Sequence, residues 1–324
     1  MNRAVEKAKT LHLLTGCTAC GKTEVSLRWA ERFGAEIVSC DALLFYRGMD
    51  IGTAKPTAEE RARVMHHLVD VVEPTERMNV KEYSRLARAA VDAIEARGRE
   101  VLVVGGSGFY LKSFLAAVAD DVAVDPGLRD RLEKQARDAG LDTLVEELTR
   151  LNPEGLGGLD VRNPRRVVRA LERCLASGRS LAELAEDLRC APRPFPGRRI
   201  RLVELARESG ELRERIRRRV DAMSRDGLVE EVRALRERGF EANPTAAQAV
   251  GYRETLTWLD AGAANPEALA EAITRSTNRL ARKQRTWFRG QLPAHKVVWI
   301  KGSDPVDVDD LFEGADVIDA DASP

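Results

Sequence analysis

Residues 16–23, Gly16-Cys17-Thr18-Ala19-Cys20-Gly21-Lys22-Thr23, spell G-x-x-x-x-G-K-T. The pattern constrains the fold because it works at one kind of junction, where a strand turns into a helix. Both flanks are legible: Leu11-His12-Leu13-Leu14 reads as a short strand, and the stretch from about Lys22 to Phe33 reads as a helix. In such a loop the glycines permit backbone conformations that aim successive N–H groups at phosphate oxygens. The helix N-terminus adds the positive end of its dipole. Lys22 adds a mobile charge, and Thr23 adds a hydroxyl that can reach Mg²⁺. Residues Gly16, Cys17, Thr18, Ala19, Cys20, Gly21, Lys22 and Thr23 are therefore expected to hold a diphosphate or nucleotide. Cys17 and Cys20 form a Cys-x-x-Cys, but they occupy variable positions of the loop, which disfavours a redox dithiol.

Further strand ends follow. Glu36 to Cys40 reads as a strand ending at Asp41, and Val80 to Arg97 has helical spacing with a Gly98 stop. Val101-Leu102-Val103-Val104 is a continuous apolar run, as in a parallel strand buried on both faces. Gly105-Gly106-Ser107-Gly108 breaks it, and a helix starts near Phe109. This alternation implies an α/β protein with an open parallel sheet. From Asp125 to Leu188 only helical periods occur, one of them starting at Asn163-Pro164, a cap followed by a first-turn proline. Residues 191–197 form a breaker-rich linker, Ile200 to Leu205 reads as a returning strand, helices run from Glu211 to Arg289, and Val297 to Ile300 reads as a last strand. The expected architecture is a P-loop NTPase-like parallel sheet core built from residues 1–120 and 198–303. It carries an all-helical insertion over 121–197, C-terminal helices, and an acidic tail, 304–324, expected to be disordered.

Composition removes several classes. A 44% hydrophobic content supports packed cores. No run approaches about 18 apolar residues, so no membrane span is expected. The charged N-terminus lacks a signal-peptide apolar region. The five cysteines form an odd, sparse set without zinc spacing, which suits reduced thiols in a cytoplasmic protein. The 52 basic and 52 acidic residues cancel, and taken as a total that argues against a nucleic-acid partner. Their distribution reverses that conclusion. Residues 304–324 carry eight acidic residues and no Lys or Arg, so residues 1–303 carry a net +8. Residues 272–303 carry eight basic residues and no acidic one. The acidic tail is expected to screen this basic stretch from non-specific nucleic acid.

Asp41 stands at a strand's C-terminal end, where ligands bind in open α/β sheets. It could hold Mg²⁺, act as a general base, or cap a helix. Arg215 and Arg219 lie four apart on one helical face, within a run of arginines. Arg275, Arg279, Arg282, Lys283, Arg285 and Arg289 share one helix with Trp287 and Phe288, a combination suited to RNA contact or, for the aromatics, to core packing. The phosphate loop alone does not choose a reaction, and a P-loop small-molecule or nucleotide kinase stays open. A non-catalytic RNA-binding protein is disfavoured by Asp41 and the intact Lys22-Thr23.

Together these blocks resemble one family, the tRNA dimethylallyltransferases, also called tRNA isopentenyltransferases. The family's phosphate loop has proline and serine where Cys17 and Cys20 stand. Residues Asp41 to Pro56 (DALLFYRGMDIGTAKP), His66-His67-Leu68-Val69-Asp70 and Val104 to Tyr110 are similar to three of its blocks. Arg165-Arg166 with Arg169-Ala170-Leu171-Glu172, Ala249 to Glu254, and Ala281 to Arg289 are similar to three more. The resemblance implies transfer of a dimethylallyl group from dimethylallyl diphosphate to the N6 amine of the tRNA adenosine at position 37, 3′-adjacent to the anticodon. It implies Mg²⁺, a cytoplasmic monomer and no membrane.

The resemblance also implies roles. Asp41 is the general base, Thr18 assists near the transferring group, and Arg219 serves the diphosphate beside Arg215. The tRNA is contacted by Asp41, Ala42, Leu43, Leu44, Ser107, Arg129, Arg165, Arg166, Arg169, Gly251, Tyr252, Arg253, Arg282, Lys283 and Gln284. Beyond the resemblance, the three thiols Cys17, Cys20 and Cys40 fall near the expected crevice, where a helix N-terminus lowers thiol pKa, and mild oxidation is expected to inactivate the protein.

Overall fold

A computed structural model describes residues 9–118, 122–262 and 265–319. These residues fall into two compact units: Ala117–Pro192 forms one, and the residues before and after it form the other.

The larger unit opens with β1 (Lys9–Gly16), α1 (Lys22–Phe33), β2 (Ala35–Ser39), α2 (Ala58–Arg63), β3 (His66–His67), α3 (Val80–Ala96), β4 (Glu100–Val104) and α4 (Gly108–Leu115). The smaller unit holds α5 (Pro126–Asp138), α6 (Leu141–Leu151), α7 (Pro164–Ser177) and α8 (Leu181–Cys190). The chain returns with β5 (Arg198–Ala206), α9 (Ser209–Arg225), α10 (Leu228–Glu237), α11 (Pro244–Ala247), α12 (Tyr252–Asp260), α13 (Pro266–Gln291), β6 (Lys296–Trp299) and β7 (Val317–Asp319). The sheet order is β3-β2-β4-β1-β5-β6, all parallel, with β7 antiparallel to β5.

The central strands are apolar on both faces because helices cover both sides. Leu11, Leu13, Leu14, Leu102 and Val103 have no exposed surface. In register, Leu14 lies beside Val104 and Gly16 beside Leu205. The carboxyl ends of β1, β2 and β4 therefore come together, tied by Cys40 N–H to Val104 O (2.7 Å) and Gly105 N–H to Leu14 O (3.2 Å). Gly105 has to be glycine: a Cβ there would sit 1.9 Å from Cys40 O.

In the helical unit, Leu132, Leu144, Leu148, Val167 and Leu171 form a separate core. Helix α7 starts as its sequence predicts, with Asn163 Oδ1 accepting from Arg166 N–H (3.3 Å) and Pro164 in the first turn. The unit ends at 192 rather than 197 because the linker is anchored. Phe195 stacks on Phe114 of α4 (centroids 5.1 Å, planes 4° apart) and lies beneath Arg88 and Arg198.

The expectation of a disordered tail is corrected for residues 304–319. Val308, Leu311, Phe312 and Ala315 are buried against the sheet, and β7 adds a strand to β5. Phe312 meets the rings of His12 (4.8 Å) and Trp29 (5.2 Å). The carboxylate count hid an apolar spacing that supplies these anchors. Within the tail, Asp309 pairs with Arg32 of α1 (2.7 Å). Residues 320–324 of that expectation lie outside the described residues.

His12 is mostly enclosed by this aromatic cluster, and burial together with nearby Arg201 lowers its pKa to about 4. An unfolded histidine takes a proton near pH 6.5, so the unfolded state alone gains a proton as pH falls from 6.5 towards 4. Stability is therefore expected to be full above pH 6.5 and to drop by roughly 3 kcal/mol towards pH 4 from this residue. Denaturant melts of His12→Gln should lack that share of the acid sensitivity.

Candidate active site

The phosphate loop is held by groups that reach it from distant elements. Gly16 (φ 149°) and Gly21 (φ 107°) take conformations that disfavour side chains, and Ala19 (φ 62°) is in the left-handed region. Lys22 Nζ donates to Gly16 O (2.8 Å) and Cys17 O (3.0 Å). From just after β5, Arg207 Nε donates to Cys20 O, and from α9, Arg215 Nε donates to Ala19 O, both at 2.8 Å. Arg207 is paired with Glu211. Arg215 has no carboxylate partner among the described residues, and burial followed by the Arg207 charge lowers its pKa.

Arg219, one turn further along α9, donates from Nη1 to Thr18 Oγ1 (3.2 Å) and from Nη2 to Thr53 O (3.0 Å). Burial lowers its pKa, offset in part by the Asp41 charge. Asp41 Oδ1 accepts from Leu43 N–H (3.0 Å), closing a short turn after β2. Ser107 Oγ accepts from Ala42 N–H (2.9 Å). Thr18, Lys22, Thr23, Asp41, Leu43, Leu44, Ser107, Arg215 and Arg219 thus line one cleft of about 1060 Å³. Phe109, Met223, Val250, Leu280 and Trp287 give it apolar walls.

Other predicted site residues have different placements. Gln284 of α13 bridges the two loops: Oε1 accepts from Thr18 N–H and Nε2 donates to Gly106 O, both at 2.9 Å. Tyr252 is fully buried, so its side chain has no surface for RNA. Its hydroxyl donates to Glu231 (2.7 Å), and its ring packs where a Cβ on Gly52 would approach within 2.5 Å. Gly251 is also buried. Arg253 is half-buried and paired with Glu254. Lys283 is exposed at the cleft mouth, and Arg282 is exposed outside it.

Cys17, Cys20 and Cys40 are buried beneath the cleft rather than within it, and all five thiols are free. A hydrogen bond with Cys20, then burial, raises the Cys17 thiol, and the same bond lowers that of Cys20. Burial pushes Cys40 up to about 12. Burial and the raised values of Cys17 and Cys40 oppose the expected oxidation sensitivity at those two thiols, whereas the lowering of Cys20 to about 6 favours it there.

Sequence reasoning missed the groups that hold the 50–55 segment in place. Glu231 of α10 accepts from the backbone N–H of Asp50, Ile51 and Gly52 (2.9, 2.7 and 3.2 Å). Buried Lys55 donates to Tyr46 O (2.8 Å) and pairs with Asp50 (2.6 Å) and Asp70 (2.5 Å). These contacts present Thr53 O to Arg219. The sequence signal was that Lys55 and Asp70 stand at the ends of two adjacent motif blocks, Lys55 just before Pro56.

In the helical unit, Arg129 Nε and Nη2 each donate to Glu172 at 2.7 Å, and Arg169 binds the same carboxylate. Glu172 has no exposed surface. Burial acts to raise its pKa, but the two guanidiniums outweigh it and leave the carboxyl below its usual range. Arg165 and Arg166 are exposed on the first turn of α7.

The model of the IPP transferase family matches residues 44–291. The chain belongs to the IPP transferase family. It is similar to the tRNA dimethylallyltransferase of Opitutus terrae, with 56% identity over 92% of this chain and 95% of that protein. It is also similar to that of Salinispora tropica, with 43% identity over 87% and 86%. Among solved structures it resembles the tRNA isopentenylpyrophosphate transferase of Bacillus halodurans (TM-score 0.62, 34% identity, 91% of this chain and 90% of that one). A eukaryotic dimethylallyltransferase acting on tRNA is a further neighbour (TM-score 0.73, 25% identity, 86% and 70%). Membership in the IPP transferase family disfavours the kinase alternative. No helix among the described residues is long and apolar enough to cross a membrane.

Proposed function

We propose that this protein transfers the dimethylallyl group of dimethylallyl diphosphate to the N6 amine of adenosine 37 of tRNA. The products are diphosphate and N6-(dimethylallyl)adenosine. One observation carries the reading: a carboxylate, Asp41, lines the same cleft as a phosphate loop and two arginines that lack carboxylate partners among the described residues, within apolar walls. The polar end suits a diphosphate and the walls suit a hydrocarbon.

As the allylic carbon–oxygen bond breaks, positive charge grows on carbon and negative charge on the leaving diphosphate. Preorganised donors lower the barrier most where charge develops. Lys22, the loop amides, Arg215 and Arg219 supply them. The amine of adenine is a weak nucleophile because its lone pair is delocalised, and Asp41 takes its proton as the carbon–nitrogen bond forms. A stacked base cannot enter the cleft, so the nucleotide is flipped out of its stack.

Thr23, an exposed residue that lines the cleft beside the loop, is the residue that would hold Mg²⁺. The described residues contain no cluster of three His, Cys, Asp or Glu side chains that could hold a metal. That suits Mg²⁺, which takes few protein ligands and is completed by substrate oxygens and water. When bound, the ion would neutralise the diphosphate. The enzyme is expected to work as a cytoplasmic monomer, which sedimentation would check for the oligomeric state.

Calorimetry tests the donor: dimethylallyl diphosphate with Mg²⁺ should bind the parent protein and outcompete ATP. Tighter binding of ATP would overturn the donor assignment.

Arg129 and Arg169 are proposed RNA contacts whose guanidiniums are aimed by Glu172. Glu172→Gln keeps the shape and removes the charge, and is expected to weaken tRNA binding about tenfold while leaving the donor KM unchanged. Filter binding and steady-state kinetics check this.

A further inference from the structure

Helix α10 buries Leu228, Val232 and Leu235 in the larger core of its unit. Glu231 stands on the same face, one turn after Leu228 and one turn before Leu235. A carboxylate on an apolar stripe is costly unless its oxygens are satisfied. Glu231 has no ion pair among the described residues, and neutral donors satisfy it instead. Its oxygens accept from the backbone N–H of Asp50, Ile51 and Gly52 and from the Tyr252 hydroxyl (2.7 Å). These bonds fill the capacity of a carboxylate, roughly four sites. Burial, then the Glu231 charge, holds the Tyr252 phenol well above its usual pKa, so it stays a donor. Gly52 admits the ring, since a Cβ there would lie 2.8 Å from the hydroxyl oxygen. The next residue is Thr53, whose carbonyl accepts from Arg219 Nη2 (3.0 Å), while Thr18 Oγ1 accepts from Nη1 (3.2 Å). Among the described residues these neutral oxygens are what holds the Arg219 guanidinium at the cleft, and most of its N–H groups stay free for a ligand.

We infer that Glu231 and Tyr252 are positioning residues for the leaving diphosphate: they brace the 50–53 turn so that Thr53 O keeps Arg219 aimed at it. This rests on the role proposed for Arg219, and it gives Tyr252 a task other than touching RNA. The brace matters because an arginine side chain carries much rotamer freedom, and a donor stabilises developing charge only when it is ordered beforehand. With the turn loosened, the positive charge remains but its aim is lost. Lys55, paired with Asp50 and Asp70, anchors the segment independently. Loss of the brace should therefore loosen the turn without unfolding the protein.

The test is a double-mutant cycle read by calorimetry with inorganic diphosphate and Mg²⁺. Glu231→Gln is expected to weaken diphosphate binding about tenfold, and the milder Tyr252→Phe, which keeps the ring, about threefold. In an Arg219→Gln background neither change should weaken it further, because its route to the ligand is already gone. Filter binding of an unmodified tRNA transcript should match the parent for both variants. Equal losses in the presence and absence of Arg219 would overturn the inference, since the brace would then act on the fold at large. A lower melting temperature with diphosphate affinity retained would also overturn it and leave Glu231 a purely structural residue. So would weaker tRNA binding by Tyr252→Phe with diphosphate binding intact. Arg219→Gln with the parent's diphosphate affinity would overturn the inference together with the role given to Arg219. Diphosphate binding is read without turnover, so intact coupling in a protein that transferred no prenyl group would support the brace and count against the proposed reaction alone.

Discussion

Asp41→Asn is expected to lower kcat by about 10²- to 10⁴-fold, the range that loss of a general base produces. Affinity for tRNA should barely change. The substitution is informative because the amide oxygen can still accept from Leu43 N–H, so the turn after β2 and the Ala42–Ser107 contact stay in place. What is lost is the ability to take a proton from the adenine amine, together with the negative charge facing Arg219. Pre-steady-state turnover with tRNA and donor both saturating measures the chemical step directly. Equal losses in turnover and tRNA affinity would make Asp41 a binding residue instead.

Lys22→Met is the second large effect. Its ammonium is held by two loop carbonyls and has no carboxylate partner among the described residues, so its charge is available to the leaving group. Removing one such preorganised donor is expected to cost about 10²- to 10³-fold in kcat, with weaker donor binding and unchanged tRNA binding. The same two carbonyl contacts also make Lys22 a staple of the loop. A melting temperature that falls while donor affinity is retained would assign it that structural role. Methionine keeps the aliphatic stem, so a purely electrostatic role predicts little change in melting.

The parts of this fold written locally were legible. The phosphate loop, the strands around Leu13, Val38 and Val103, and the capped start of α7 each depend on a few consecutive residues, and each forms where its pattern says. The site's supports were not legible, because their partners lie far apart in the chain. Ile51 and Glu231 are separated by 180 positions, and Thr18 and Gln284 by 266. Gln284 and Tyr252 drew attention as RNA contacts by resemblance; Gln284 ties two loops together while lining the cleft, and the Tyr252 side chain is buried beneath a third. Nothing in a list of motifs distinguishes a residue that touches substrate from one that holds the touching residue still. The tail failed for a different reason: its net charge was weighed without its spacing, and four apolar anchors were enough to order residues 304–319 against the sheet.

The most direct test incubates the protein with an unmodified tRNA transcript, Mg²⁺ and dimethylallyl diphosphate labelled in its hydrocarbon, followed by digestion to nucleosides. Label is expected in N6-(dimethylallyl)adenosine from position 37, and is expected to be absent with Asp41→Asn. Transfer of the γ-phosphate from ATP, with no label reaching the tRNA, would contradict the proposed transfer.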